Sequence, residues 1–262
     1  MTKNIDFSRF SSIKVGPIAD VNIVNDCSEM PENAAIIGSC SNIIIGDSPP
    51  PLYMLSKNYD YIKLENGLLR IGAATPSGKI ASFCKKHNIG GFEFLSHLPG
   101  KLGGLVKMNA GLKEYEIFNN LVSLRTCSGR FEKNSLEFGY RYTKIEGIIL
   151  EATFTYTAGF DSTKVEMFKK MRSNQPATPS AGSCFKNPPG DFAGRLIEAV
   201  GLKGKRIGGM GWSEVHANFL VNYGGGKFIE AMELIQEAER KVLERFGITL
   251  EREIVVLEKS LF

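Results

Sequence analysis

Apolar positions along the chain follow two rhythms, and the switches between them mark its elements. Phe228, Met232, Ile235, Ala238 and Val242 recur every three to four residues, which predicts one long amphipathic helix. Gly224-Gly225-Gly226 releases the chain into it and Gly247 caps its end. Its charges (Glu230, Glu233, Glu237, Glu239, Arg240, Lys241, Glu244, Arg245) read as a solvated face. A second helix is expected after Thr75-Pro76, with Ile80, Phe83, Cys84 and His87 on one face and Gly90-Gly91 as its stop. His87 is thereby read as a core or boundary residue rather than a ligand. A third covers roughly 162–173 with Val165, Phe168 and Met171 inward. A fourth runs from Ala193 through Leu196, Ile197 and Val200 to Gly201, with Asp191 as its cap.

The other rhythm is alternation. Leu150, Ala152, Phe154 and Tyr156 predict a half-buried strand, and another strand spans 121–127. Apolar runs at 61–64 and 68–71 flank Asn66-Gly67, a strong hairpin signal. Strands at 34–37 and 43–45 enclose the turn Gly38-Ser39-Cys40-Ser41-Asn42, and 250–257 closes the chain as a strand. Pro49-Pro50-Pro51 and Ala158-Gly159 read as boundaries. Helices and strands so intermixed predict an α+β protein.

Two stretches fit neither rhythm. Residues 95–111 hold four glycines and a proline among apolar residues. That is too apolar for a solvent loop and too glycine-rich for a regular element. It suits backbone lying close against a flat ligand or pyrophosphate, or equally a tightly packed crossover. Residues 179–191 join Gly182, Ser183, Lys186, Asn187 and a Pro-Pro-Gly turn. Ser183 is thereby expected on a fixed turn near a helix start; a connecting loop of small residues is the plainer reading. The turn at 38–42 can offer backbone N–H groups to phosphate, or be an ordinary tight turn. Tyr140-Arg141-Tyr142 places Arg141 between two tyrosines at a strand edge, as a snorkelling cation or as a fork for a carboxylate.

Composition narrows the classes. The chain has 262 residues, 43% hydrophobic and 23% charged, as an ordinary globular protein does. A net charge of +4 is too weak and scattered to argue for nucleic acid, though it is compatible with an anionic small molecule. No apolar run approaches the roughly 20 residues of a membrane span, and the N-terminus lacks a signal-peptide core. Cys27, Cys40, Cys84, Cys127 and Cys184 contain no C-x-x-C pair, so all five are expected as free thiols in a reducing compartment, with no zinc site. A cytoplasmic protein is expected. There is no G-x-G-x-x-G and no Walker A pattern.

Taken together, the motifs resemble the UDP-N-acetylenolpyruvoylglucosamine reductase family in its compact subtype, over essentially the whole chain. Gly38-Ser39-Cys40-Ser41-Asn42 resembles that family's G-x-G-S-N turn. Leu98-Pro99-Gly100 through Gly103-Gly104, then Met108-Asn109-Ala110-Gly111, resemble its I-P-G-x-x-G-G and M-N-A-G segment. Tyr140-Arg141, then Gly182-Ser183 through Phe185-Lys186-Asn187-Pro188, and Glu253-Ile254 follow in the family's order. Three positions depart from it: Cys40 replaces a usual glycine, His97 stands where glycine commonly precedes I-P-G, and Val255 replaces an arginine after the glutamate.

The resemblance implies a two-part FAD-binding region, 1–52 and 53–158, a substrate domain, 159–250, and a C-terminal strand, 251–262, returning to the first region. It implies NADPH-dependent, FAD-mediated reduction of an enolpyruvyl sugar nucleotide in peptidoglycan precursor synthesis, by a monomer that binds neither nucleic acid nor membrane. Arg141, Ser183 and Glu253 would be catalytic. Gly38, Ser39, Cys40, Ser41, Asn42, Pro99, Gly100, Gly103, Gly104, Asn109, Ala110 and Gly111 would hold FAD. Tyr140, Gln175, Lys186, Asn187 and His216 would bind substrate. Lys186 and the N–H groups of the Gly182–Phe185 turn would stabilise the conjugate base of Ser183. Trp212 is read as a core residue or a lid. Another FAD-linked oxidoreductase of the same fold, or a flavin- or nucleotide-binding module without turnover, are the competing readings.

Overall fold

The hairpin expected at Asn66-Gly67 forms, with both turn residues left-handed at φ +52° and +71°, joining the strands Ile62–Glu65 and Leu68–Gly72. In the computed structural model, which describes residues 1–27, 30–31 and 34–259, the chain divides into two units. The first comprises Met1, Asn22–Gly38 and Tyr53–Ser173; the second comprises Thr2–Val21, Ser39–Leu52 and the chain from Asn174 onward.

In the first unit the hairpin belongs to a five-stranded antiparallel sheet. Its order is Gly129–Glu132, Leu121–Thr126, Ile149–Phe154, Leu68–Gly72, Ile62–Glu65. The central strand Ile149–Phe154 is buried at all six positions, not half-buried as its alternation predicts. The reason is local pairing: Glu151 lies 3% exposed and accepts from Arg70 (Nη2, 2.8 Å) and from the Tyr61 hydroxyl. Burial, then the Glu151 bond, push the Tyr61 phenol up to about 12. Burial alone would raise the Glu151 carboxyl, but the Tyr61 and Arg70 bonds outweigh it and hold it low.

The helix Ser77–Lys86 buries Ile80, Ala81 and Cys84 in this core. His87 falls just past its end, exposed and lying against the Phe83 ring with centroids 4.2 Å apart, so the expected core placement is wrong. The glycine-rich stretch is also more regular than expected: it contains a 3-10 turn, Glu93–His97, and a short helix, Leu102–Lys107. Leu102, Leu105 and Val106 anchor that helix in the core, which offsets the weak propensity of Gly103 and Gly104. In the helix Ser162–Met171 only Phe168 is fully buried, with Val165 and Met171 partly so.

The thiol expectation holds for Cys40, Cys84 and Cys184, which are buried outside any disulfide, and fails for the other two. Cys27 and Cys127 form a disulfide within the first unit, with Cα atoms 5.6 Å apart across a sequence separation of 100. No spacing rule reaches a pair so distant, and five free thiols no longer argue for a reducing compartment.

The second unit has an antiparallel sheet in the order Ser180–Ser183, Phe219–Asn222, Met210–Trp212, Arg206–Ile207. The long helix Phe228–Phe246 forms as expected and ends at Gly247, φ +67°. Its face Ala231, Met232, Leu234, Ile235, Ala238 and Val242 is buried; each full-size aliphatic there stabilises by about 1.5–3 kcal/mol. Its outer charges are not merely solvated. Glu239 takes the Arg252 fork (Nη2, 2.8 Å), and Glu237 sits between Lys205 (2.6 Å) and Lys241 (3.1 Å). Trp212 is 0% exposed and stacks on Phe185, so it is a core residue and not a lid. The terminal strand is shorter than expected: Val255–Leu257 pairs in parallel with Ile43–Ile45.

Candidate functional site

The expected site residues fall into two clusters, one in each unit. In the first unit the organising residue is Asn109, fully buried and left-handed at φ +43°. Its amide nitrogen donates to Glu116 (2.8 Å) and to the Gly139 carbonyl (3.1 Å), and its Oδ1 accepts from the Phe118 N–H (3.3 Å). This ties residues 109–111 to the hairpin Glu137–Gly139 and Tyr142–Lys144.

Tyr140 and Arg141 are the two-residue turn of that hairpin, not a strand edge as the tyrosine-flanked pattern predicts. Arg141 is left-handed at φ +53°, a conformation that costs glycine little and a residue bearing a Cβ about 1 kcal/mol or more. The turn aims its guanidinium back over the loop: Nη1 donates to the Asn109 carbonyl (3.2 Å) and Nη2 to the Gly111 carbonyl (2.6 Å). Glu116 lies 3.6 Å from Nη1, and the Tyr140 ring lies 5.1 Å from the guanidinium carbon. The side chain is 13% exposed. Arg141 thus lies over an aromatic ring, and its fork is held in a fixed plane by two carbonyls.

Pro99 to Lys101 links the 3-10 turn to the short helix of the first unit, whose first turn carries Gly103 and Gly104. Gly100 has φ +134°. Its carbonyl accepts from Ser77 N–H (2.9 Å), while the N–H groups of Leu102 and Gly103 donate to Thr75 and Ala73 (2.9 Å each). A Cβ on Gly103 would press on Ala73 at 3.2 Å; one on Gly104 would meet nothing within 4 Å. Gly103 is thus a packing glycine, and Gly104 faces open space. Ala110 and Gly111 are buried, and Gly38 is half-buried against the Lys101 side chain.

In the second unit, Ser39, Ser41 and Asn42 are half-buried and Cys40 is buried. Cys40 holds φ +48°, so the turn keeps the left-handed geometry that glycine usually supplies there. Asn42 Nδ2 donates to the Glu253 carbonyl (2.9 Å) and its own carbonyl accepts from Val255 N–H (3.0 Å). Backbone bonds bring Glu253 beside the serine turn: its N–H donates to the Cys184 carbonyl (2.9 Å). On the other side, Ser183 pairs with Phe219, while Ser180 pairs with Val221. Three steps on one strand thus face two on its partner, a bulge made possible by Gly182 at φ +83°. Ser183 is therefore set out of the regular ladder, half-buried.

Asn218 was not expected among the site residues. Its Oδ1 accepts from Phe185 N–H (3.0 Å), its Nδ2 donates to the Phe185 carbonyl (2.8 Å), and its carbonyl accepts from Cys184 N–H (2.7 Å). The N–H groups of Cys184 and Phe185 are thereby committed, which removes those two from the donors expected to stabilise the conjugate base of Ser183. Lys186 is also engaged, in an ion pair with Glu251. The available signal was an asparagine inside the apolar run 217–221. Asn187 Oδ1 accepts from Ala193 N–H (3.1 Å), taking the capping role expected of Asp191. Asp191 instead pairs with Arg195, which holds its carboxyl down at about 2. His216 is half-buried against Phe219, with Nδ1 accepting from Asn218 N–H (3.3 Å). Burial lowers its pKa, because the imidazolium would be poorly solvated. Gln175 is half-buried in the loop before Ser180 and lies outside this network. Burial pushes the Cys184 thiol well up, consistent with a bystander.

Among the described residues no helix is long and apolar enough to cross a membrane, and no group of three or more acidic, His or Cys side chains could hold a metal. Residues 174–257 match the family model described as UDP-N-acetylenolpyruvoylglucosamine reductase, C-terminal domain. The UDP-N-acetylenolpyruvoylglucosamine reductase of Helicobacter pylori is 44% identical over 253 residues, covering 97% of this chain and 98% of the relative. That of Campylobacter jejuni is 42% identical over 258 residues, covering 97% and 99%. The crystal structure of UDP-N-acetylenolpyruvylglucosamine reductase from Thermus caldophilus superposes with a TM-score of 0.85 at 27% identity, covering 98% of this chain and 99% of that one.

Proposed function

The chain belongs to the UDP-N-acetylenolpyruvoylglucosamine reductase family, and on that premise we propose which of its residues carry the reaction. The family's enzymes contain FAD, use NADPH and reduce the enolpyruvyl sugar nucleotide to UDP-N-acetylmuramate for peptidoglycan. The residues present fit a dinucleotide. Gly100 is left-handed, open space lies beside Gly104, and a buried ring nitrogen of His97 has no partner among the described residues. The holders of FAD are the turn 38–42, the segment Pro99 to Gly104, and Asn109, Ala110 and Gly111. Residues 1–52 and 53–158 are the FAD-binding parts, 159–250 the substrate part.

When bound, FAD supplies hydride from NADPH to the terminal methylene carbon of the enolpyruvyl group. Negative charge then develops on the neighbouring carbon and spreads into the carboxylate. Arg141 answers that charge with a permanent cation whose plane is already fixed by two carbonyls, so little reorganisation accompanies the reaction. Ser183 Oγ delivers the proton to that carbon. A serine hydroxyl is a weak acid, effective only against a strongly basic partner. Glu253 assists at the substrate carboxylate through a proton retained or shared between them, since two bare carboxylates repel. Tyr140, Gln175, Lys186, Asn187 and His216 contact substrate. An enzyme that consumes NADPH and a nucleotide sugar works where both are made, the cytoplasm. The proposed state is a monomer that binds a sugar nucleotide and neither membrane nor nucleic acid.

The observation that carries these roles is the bulge at Gly182, with Glu253 hydrogen-bonded to the residue after Ser183. The test is Ser183→Ala in stopped-flow flavin absorbance. NADPH still bleaches the flavin at the wild-type rate, while reoxidation by the enolpyruvyl substrate slows about 10²–10⁴-fold, as for loss of a general acid. Equal loss of both half-reactions would remove Ser183 from this role.

A further inference from the structure

The 3-10 turn Glu93–His97 ends where the glycine-rich segment begins, and its polar groups are almost all accounted for. Glu93, 3% exposed, accepts from the N–H groups of Gly91 (2.9 Å) and Asp161 (3.0 Å). Leu98 N–H returns to the Leu95 carbonyl. The one exception is His97: its Nε2 is buried and has no hydrogen-bond partner. Across the described residues only one other side-chain nitrogen shares that condition, Trp212 Nε1, which lies in a closed apolar core. His97 instead stands two residues before Pro99, which is exposed, and three before Gly100 at φ +134°. A nitrogen buried without a partner is disfavoured, so such a group in a native protein points to a missing ligand or water.

We propose that His97 is a cofactor-contacting residue whose Nε2–H donates to an oxygen of FAD. The donor tautomer follows from the ligand's chemistry. The pyrophosphate offers acceptors only, and the polar edge of the isoalloxazine offers several acceptors against one N–H. An imidazole with its proton on Nε2 serves either source. The inference rests on the FAD-binding reading of Pro99 to Gly104 and adds a side chain to what is otherwise a backbone cradle.

Two substitutions isolate the nitrogen. His97→Phe keeps a flat ring and removes the donor; His97→Gln keeps an N–H donor at similar reach. FAD is titrated into apoprotein by fluorescence quenching, and the melting temperature is recorded with and without FAD. We expect His97→Phe to weaken FAD binding tenfold or more and to shrink the FAD-induced rise in melting temperature, with the apoprotein melting as wild type does. We expect His97→Gln to bind within about threefold of wild type. Equal FAD affinity for His97→Phe and wild type overturns the proposal, as does equal weakness of the two variants, which would mark His97 as structural or water-bound. Wild-type chain that binds no FAD at all would overturn the functional reading itself, a result distinct from either.

Discussion

The two site clusters are built on opposite principles. Around Arg141, the proposed catalytic side chain is placed by strained backbone: Asn109 and Arg141 are both left-handed, and side chains bonded to carbonyls hold them there. Around Ser183, placement is by backbone ladders on both sides, with the extra residue of a bulge absorbed by a glycine. A guanidinium has five donors and can lock itself onto loop carbonyls. A hydroxyl has one, and must be delivered by the chain that bears it. The first design therefore depends on the side chain itself, the second on its neighbours.

The sharpest way to break that contrast is Arg141→Lys. A single ammonium cannot span the Asn109 and Gly111 carbonyls as the fork does. Turnover with the enolpyruvyl substrate should fall about 10²–10³-fold, or about 3–4 kcal/mol, while the melting temperature barely moves. Steady-state kinetics beside a thermal melt would show it; a comparable loss of stability would mean the fork is structural. Next in size is Asn218→Ala. It leaves the Phe185 N–H and carbonyl buried without partners, so about 2–4 kcal/mol of stability should go, with Ser183-dependent reoxidation impaired alongside. Denaturant melts give the first quantity and stopped-flow the second. Loss of stability with reoxidation intact would show that neighbours do not place the serine.

A smaller effect is expected of Cys40→Gly. The residue is left-handed, so glycine relieves local strain but frees the unfolded chain and empties the thiol's buried volume. The net change should stay within about 1 kcal/mol with FAD affinity unaltered; a large loss would show that the thiol, not the backbone, is what the turn requires. The smallest effect concerns His216. Its folded pKa is depressed by burial, so between that value and the ordinary imidazole value of about 6.5 the unfolded chain binds more protons. Stability thus rises with pH through that window, and is lost as pH falls through it and no further below it. His216→Asn, which retains an acceptor for Asn218 N–H, should melt with a flatter pH dependence there; an unchanged slope would assign it to other groups.

Local pattern read most of the framework. The Asn66-Gly67 hairpin, the face from Met232 to Val242 and the cap at Gly247 each follow from residues a few positions apart. It misjudged His87, whose place on the helical face continued only as far as the helix did. It also judged the central strand 149–154 half-buried, because Glu151 looks solvent-bound until Arg70 and Tyr61 are brought to it from the hairpin, 81 and 90 residues earlier. The candidate site was legible as motifs: the glycines, Arg141, Ser183 and Glu253 could all be singled out. Asn218 was not singled out, and Asn187 was expected at the substrate without its bond to the Ala193 N–H, since an asparagine's role depends on which backbone groups it meets.

What the sequence determined by itself, then, were features with a short-range cause: the face of the long helix, the Asn66-Gly67 turn and the Gly247 cap. The tertiary structure decided what depends on partners far along the chain. It joined Cys27 to Cys127, set Glu253 beside the serine turn, committed the N–H groups of Cys184 and Phe185 to Asn218, and left the His97 nitrogen unmatched. The physical reason is that hydrogen-bond satisfaction and burial belong to the folded neighbourhood, which no window of adjacent residues contains.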